Sequence, residues 1–295
     1  MSDYSPDSSP DYSPSNPPSP YFLRGADFDL LGLSGADATR FLQGQLTCDV
    51  QKLQANACTP GAALTNKGRA YALFWLLKLE AESYLFVLNK GLGAVLLGQL
   101  RKYLPFYKCQ FNEAPGGELL LFIGSRPNSG APAFTLGDSP FATLLWLPQG
   151  AESSTLTSHL EHAPVERWLG DAMLLGHFPF TPEDAELYTA QELRLDQHGY
   201  VSYEKGCYTG QEIVARMHYR GKAKKQLCRL ELEALEDPKA LTLRDAAGQE
   251  LGHLLKALPL GASRWRALAF LPSDMLDMGQ FPAPSAGRLL ACAPL

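Results

Sequence analysis

The sequence predicts an α+β fold that ends in a small all-β module, a β-barrel, and three observations carry that prediction. Helical and strand-like apolar patterns are interleaved between Ala38 and Leu147. From Leu230 onward only short strand-like pieces recur, broken by Pro and Gly turns. The chain has 295 residues, 45% apolar and 19% charged. That is long enough for a large core and for about two or three domains.

Residues 1–20 hold six prolines, seven serines and three aspartates, and Asp-Tyr-Ser-Pro occurs twice. Such a segment buries too little surface to offset its ordering entropy, so a disordered tail is expected. Folding is expected to begin near Tyr21. Ser34-Gly35-Ala36-Asp37 resembles a capping box with Asp in place of Glu. Ala38, Phe41, Leu42, Gln45 and Leu46 then give an amphipathic helix. A strand over 62–64 leads into the basic turn Thr65-Asn66-Lys67-Gly68-Arg69, and strands follow over 70–79 and 84–88. Leu92, Val95, Leu96 and Leu100 place a helix over 91–103. Further strands are expected at 119–123 and 143–147, and helices at 155–162 and 165–169. Leu230 and Leu232 alternate with Arg229, Glu231 and Glu233, the pattern of a half-exposed strand. Strand-like pieces recur at 241–243, 250–256, 264–270 and 287–292. The expected division is a tail over 1–20, an α+β region over 21–224 and the β module over 225–295.

The stretch Lys205-Gly206-Cys207-Tyr208-Thr209-Gly210-Gln211-Glu212 holds the densest chemistry. Gly206 and Gly210 are expected to let the backbone approach a neighbour. Ile213, Val214 and Met217 have helical spacing, so Cys207 is placed at or just before a helix N-terminus. Such a terminus, with Lys205 beside it, favours a thiolate. Lys, Gly, Gln and Glu are poor neighbours for a core cysteine, which points to a functional thiol. A basic run follows: Arg216, Arg220, Lys222, Lys224, Lys225 and Arg229, with no acidic residue between Ile213 and Leu230. Arg101, Lys102 and Lys108 form a second acid-free basic segment around Tyr103, Phe106 and Tyr107.

The net charge of −5 excludes a generic polyanion binder, so any nucleic-acid contact must use a local patch. Six scattered cysteines without Cys-x-x-Cys argue against a zinc site or a disulfide framework. No stably bound metal is expected. No apolar run is long enough to cross a bilayer, and no signal peptide is evident, so a reducing cytoplasm is the expected compartment.

Lys205–Glu212 resembles the signature of the YgfZ proteins, a branch of the folate-binding family that includes the glycine-cleavage aminomethyltransferase. Gln43-Gly44-Gln45-Leu46-Thr47-x-Asp49 resembles that branch's N-terminal motif, and Lys67-Gly68-Arg69 its basic turn. Val214-Ala215-Arg216 and Tyr219-Arg220-Gly221-Lys222 continue the likeness. Cys48 stands where relatives commonly carry another polar residue.

The resemblance implies a ring of α+β subdomains around a central folate channel, with a C-terminal β-barrel. It implies tetrahydrofolate or a derivative as cofactor, with Trp168 and Phe28 as the rings that flank it. It also implies a role in making or maintaining iron–sulfur enzymes, transient contact with those enzymes or their assembly factors, and an effect on tRNA modification. Direct tRNA contact stays open. Cys207 and Lys205 are the candidate catalytic residues. One thiol cannot hold a cluster that takes about four thiolates. Cys207 is therefore a transient cluster ligand, a redox thiol or a nucleophile toward a folate-borne carbon. The rival reading is a folate-dependent aminomethyltransferase of the glycine-cleavage type, with Asp49 as its carboxylate.

Overall fold

The computed structural model describes residues 18–127, 130–136, 141–220, 224–261, 263–275 and 282–295. Most of the expected tail, residues 1–17, lies outside them, as do Gly221 and Lys222 of the later motif.

The chain forms a mixed α+β fold in two compact units. The larger comprises Pro18–Ala163 and Phe180–Gly221. It contains β1 (Tyr21–Arg24), β2 (Phe28–Ser34), α1 (Ala38–Gln45), β3 (Ala57–Leu64), β4 (Ala70–Glu80), β5 (Ser83–Asn89) and α2 (Leu92–Leu100). Next come β6 (Gln110–Asn112), β7 (Gly117–Ile123), β8 (Ala133–Thr135), β9 (Ala142–Pro148), α3 (Ser154–Thr157) and β10 (Glu161–His162). Two sheets organise it, in the orders β3-β4-β5-β2-β6 and β10-β1-β7-β9-β8. Strand β4 is buried from Ala70 to Leu77, which explains why its sequence is a continuous apolar run instead of an alternating one.

Helix α1 is capped differently from the expected capping box. Asp37 makes no side-chain cap; its carboxylate accepts from the backbone N–H of Lys108 at 2.8 Å. Glu82, at the β4–β5 hairpin, accepts from both the N–H and the hydroxyl of Thr39, each at 2.7 Å. The first turn of α1 is thus satisfied by a residue 43 positions away. Helix α2 stops at Leu100, and a 3-10 turn over Arg101–Phe106 replaces its expected end, because Pro105 cannot continue an α-helix. The helix expected over 155–162 shortens to α3. Glu161 and His162 instead pair in parallel with Tyr21 and Phe22. The His162 ring stacks on Phe22 at 5.3 Å and its Nε2 lies 2.9 Å from Asp27.

The second unit comprises Pro164–Pro179 with the described part of Lys222–Leu295. It carries α4 (Val165–Leu174). Its strands are β11 (Lys225–Glu233), β12 (Thr242–Arg244), β13 (Glu250–Pro259), β14 (Arg264–Pro272), β15 (Ala283–Pro284) and β16 (Arg288–Pro294). The larger unit holds one more helix, α5 (Gln211–Arg220). The six strands run in the order β15-β12-β13-β14-β11-β16. The two end strands, β15 and β16, are joined by residues 285–287 alone, so the sheet has to curl back on itself. Cys228, Leu230 and Leu232 point into its core with Ala267, Ala269 and Leu271.

On the opposite face of β11, Arg229 and Glu233 are partly exposed as the alternation suggested, but Glu231 is buried. The Arg266 guanidinium donates to the carbonyl of Gly170 at 2.9 Å and to Glu231 at 3.0 Å, and lies 3.4 Å from Asp171. Arg229 reaches the carbonyls of Met173 and Leu174 at 3.4 and 3.3 Å, at the C-terminal end of α4. Polar residues of the sheet therefore fix the helix that carries Trp168.

Candidate functional site

Three sequence motifs that lie far apart in the chain meet in the larger unit. Lys205 is buried, and its Nζ donates to the carbonyls of Gln43 (2.8 Å), Leu46 (2.5 Å) and Cys48 (2.9 Å). These carbonyls sit at and just beyond the C-terminal end of α1, where acceptors lack intrahelical donors and a cation is favoured. The Tyr208 ring lies 4.9 Å from the same ammonium. Burial pulls the Lys205 pKa down to about 8, while the nearby Cys48 and Asp49 act in the opposite direction. Its ammonium is directed at α1, a different set of partners from the thiolate anticipated for it.

Cys207 is exposed. It lies four positions before the first residue of α5, in a segment without regular secondary structure and not within a helical first turn. The segment is tied down on both sides. Thr209 donates its N–H to the carbonyl of Gly44 at 3.2 Å and its hydroxyl to Gln45 Oε1 at 3.3 Å. Thr47 donates to the carbonyl of Tyr200 at 2.6 Å.

The basic turn and the signature interlock through two glycines. Gly68 has φ +72°, and a Cβ there would lie 2.8 Å from the side chain of Ile213 on α5. Gly210 has φ +85°, and a Cβ there would lie 2.6 Å from the Thr65 carbonyl. Only glycine tolerates both conditions. Gly206, expected to serve the same purpose, faces open space within 4 Å.

Where these motifs join, a cavity of about 420 Å³ opens. Gln45 comes from the first motif, Lys67 and Arg69 from the second and Thr209 from the third. Tyr71, Lys102 and Tyr103 also line it. Its three cations face one lining carboxylate, Glu186, so the cavity suits a ligand with an anionic end. Arg69 donates to the carbonyls of Glu186 and Leu187, which fixes the turn against that segment. Burial raises the Tyr71 hydroxyl pKa well above its ordinary value, so this group stays a neutral donor. Sequence reading named the basic turn and the basic segment that holds Lys102 and Tyr103, but missed Tyr71 and Glu186. Nothing local marks those two, since Tyr71 sits in a strand-like run and Glu186 approaches by tertiary folding.

The two expected stacking rings are both buried, Phe28 in β2 at 5% exposure and Trp168 in α4 at 4%. Phe28 lies in the larger unit and Trp168 in the second, although the sequence reading assigned both to the 21–224 region. Asp49 accepts from Gln43 Nε2 at 3.0 Å and lies 3.8 Å from Lys52, the setting of a turn residue. Among the described residues no group of three or more His, Cys, Asp and Glu is placed to hold a metal ion. No helix among them is long and apolar enough to cross a membrane.

No protein-family model matches the chain. It is 30% identical over 281 residues to the tRNA-modifying protein YgfZ of Photobacterium profundum, covering 86% of this chain and 84% of that protein. To the protein of the same name from Yersinia enterocolitica it is 30% identical over 228 residues, 68% of each chain. An uncharacterized protein of Haemophilus influenzae is 29% identical over 210 residues, 70% of this chain and 71% of that one. Among solved structures, the glycine cleavage system aminomethyltransferase T from Bartonella henselae superposes with a TM-score of 0.68. That match has 16% identity and covers 93% of this chain and 84% of the other, so it shows a shared fold. Identity at this level along most of the length of both partners, with the motifs meeting around one cavity, establishes that the chain belongs to the YgfZ family.

Proposed function

We propose that this chain is a folate-binding accessory protein for the synthesis or repair of iron–sulfur enzymes, acting through them on tRNA modification. The observation that carries the reading is the convergence of Gln45, Lys67, Arg69 and Thr209 on one cavity, with an exposed Cys207 two positions before Thr209 in the signature. Relatives bear the name tRNA-modifying protein, and the fold is that of an aminomethyltransferase. The reading includes a ring of α+β subdomains around a folate channel, a closed C-terminal barrel and a cytoplasmic setting.

The cavity residues fit tetrahydrofolate or a derivative in size and charge. A volume of about 420 Å³ is within the range of small-molecule sites. Lys67, Arg69 and Lys102 would hold the glutamate carboxylates, and Tyr71 and Tyr103 would line the apolar body. The bound group would supply a carrier for one-carbon units. Phe28 and Trp168 are proposed as flanking rings on the family resemblance alone, since neither lines this cavity. Lys205 would act by holding the signature against α1, which keeps Cys207 at the surface. Cys207 would supply one thiolate to a cluster in transit, and a partner protein or glutathione the others. Aminomethyl transfer is not favoured, because Asp49 is committed to Gln43 and Lys52.

Titration calorimetry with tetrahydrofolate tests the first half: saturable binding is expected, weakened at least about tenfold by Arg69→Ala or Lys102→Ala. Absence of heat at millimolar ligand would sink it. The second half is tested by complementation of a strain lacking its own homologue. Cys207→Ser should fold and bind folate normally yet fail to restore iron–sulfur enzyme activity; full rescue would remove the thiol from the mechanism.

A further inference from the structure

Helix α5 continues past the signature into a cluster of rings that the folate cavity does not use. The His218 ring stacks on Tyr203, with centroids 3.9 Å apart and planes inclined by 26°. Tyr219 stands edge-on to His218 at 4.8 Å and to Tyr203 at 6.4 Å. Asp196 holds the stack from one side, 3.4 Å from the Tyr203 hydroxyl and 3.9 Å from His218 Nδ1. Tyr219 itself is 73% exposed. A ring this exposed contributes little to folding and leaves apolar surface for a flat partner.

A cation accompanies the ring on α5. Arg216 lies one turn before Tyr219 on the exposed side of α5, paired with Glu212 at 2.9 Å. In sequence the chain then runs through Arg220, Lys222, Lys224, Lys225 and Arg229 without an acidic residue before Glu231. In a protein of net charge −5, such an acid-free run is a local excess of positive charge along the sequence.

We propose that Tyr219, supported by the Tyr203–His218 stack and flanked by Arg216, is a stacking platform for an unpaired base of single-stranded RNA, so that this protein touches RNA directly. Rings supply sequence-tolerant stacking, and cations track the phosphates. The inference does not rest on folate binding, and it goes beyond an effect on tRNA that passes through client enzymes.

The test uses the full-length protein and a fluorescein-labelled single-stranded RNA of mixed sequence, about twelve nucleotides long, with the matching duplex as comparison. Fluorescence anisotropy should show saturable binding to the single strand and at least about tenfold weaker binding to the duplex. Tyr219→Ala should weaken single-strand binding about tenfold, whereas Tyr219→Phe, which keeps the ring, should stay within about twofold. Arg216→Ala should lower the slope of log affinity against log salt by about 0.7. Because Tyr219 is so exposed, its variants should melt with the wild type, which separates lost binding from lost folding. Equal affinity for duplex and single strand, or wild-type affinity in Tyr219→Ala, overturns the proposal. So does absence of binding by a wild-type protein that still binds tetrahydrofolate.

Discussion

Lys205 Nζ and the Leu46 carbonyl lie 2.5 Å apart, joining residues 159 positions apart in sequence. The contact pins the signature to the end of α1. Lys205→Met keeps the stem and removes the donor, leaving three carbonyls without it. Each unsatisfied buried acceptor costs on the order of 1–3 kcal/mol, so a loss of about 3 kcal/mol in unfolding free energy is expected. The pH dependence has a definite sign. Burial lowers the pKa from 10.5 to about 8, so between those values the unfolded chain binds more protons than the folded one. Lys205's contribution to stability therefore rises with pH across that window and is constant below it. Denaturant melts of wild type and Lys205→Met from pH 7 to 10 should show a growing difference; a constant one means that Lys205 titrates alike in both states.

The signature glycines separate into two kinds. Gly210→Ala puts a Cβ 2.6 Å from a backbone oxygen at positive φ. The backbone conformation alone costs about 1–3 kcal/mol. Gly206→Ala meets nothing within 4 Å and should stay within about 0.5 kcal/mol of wild type. Thermal melts of the two variants check this, and equal destabilisation contradicts the packing described.

Alkylation should distinguish Cys207 from the other five cysteines. Burial pushes the Cys48 thiol up to about 12 and raises Cys58 and Cys109 as well. Contact with Cys228 raises Cys292, and Cys228 is itself buried. Only the thiolate reacts, so iodoacetamide at pH 7.5 should modify Cys207 first, at least about tenfold faster than any other. Peptide mass spectrometry over time gives the order; Cys109 or Cys58 reacting first would contradict it.

Much of this was legible in the sequence because the relevant signals are local. The apolar spacing over 38–46 marks α1, and the branched and aromatic run over 70–79 marks β4. Strand β1 is missed because Tyr21–Arg24 is short, and β2 because Phe28–Ser34 holds Asp29 and Gly32 and neither alternates nor runs apolar throughout. The cap of α1 could not be read, since Glu82 reaches Thr39 across 43 residues. For the site, residue types in the motifs named Cys207, Lys205 and the basic turn, but not what each one faces. A lysine two positions from a cysteine reads as its counter-ion, and only folding shows that its ammonium is spent on carbonyls.

Glu231 illustrates the same limit and gives the last prediction. Alternation along β11 places it on a wet face, yet it is 4% exposed and shares Arg266 with Asp171 beneath α4. Such a network need not add net stability, because desolvating its charges offsets their attraction. Removing one member is different, since it strands the others. Arg266→Ala leaves Glu231 with Arg264 at 3.2 Å, an arginine about half exposed, and takes the guanidinium away from Asp171 and the Gly170 carbonyl. A cost of about 3–5 kcal/mol is expected. Arg266→Met fills more of the volume but leaves the same carboxylates buried, so it should recover little of that loss. The Glu231→Gln/Arg266→Met double variant removes charge on both sides and should be less destabilised than the sum of its single changes. A double-mutant cycle by urea denaturation measures this. Additive effects would mean that the two side chains are uncoupled and that α4 is held by its apolar face alone.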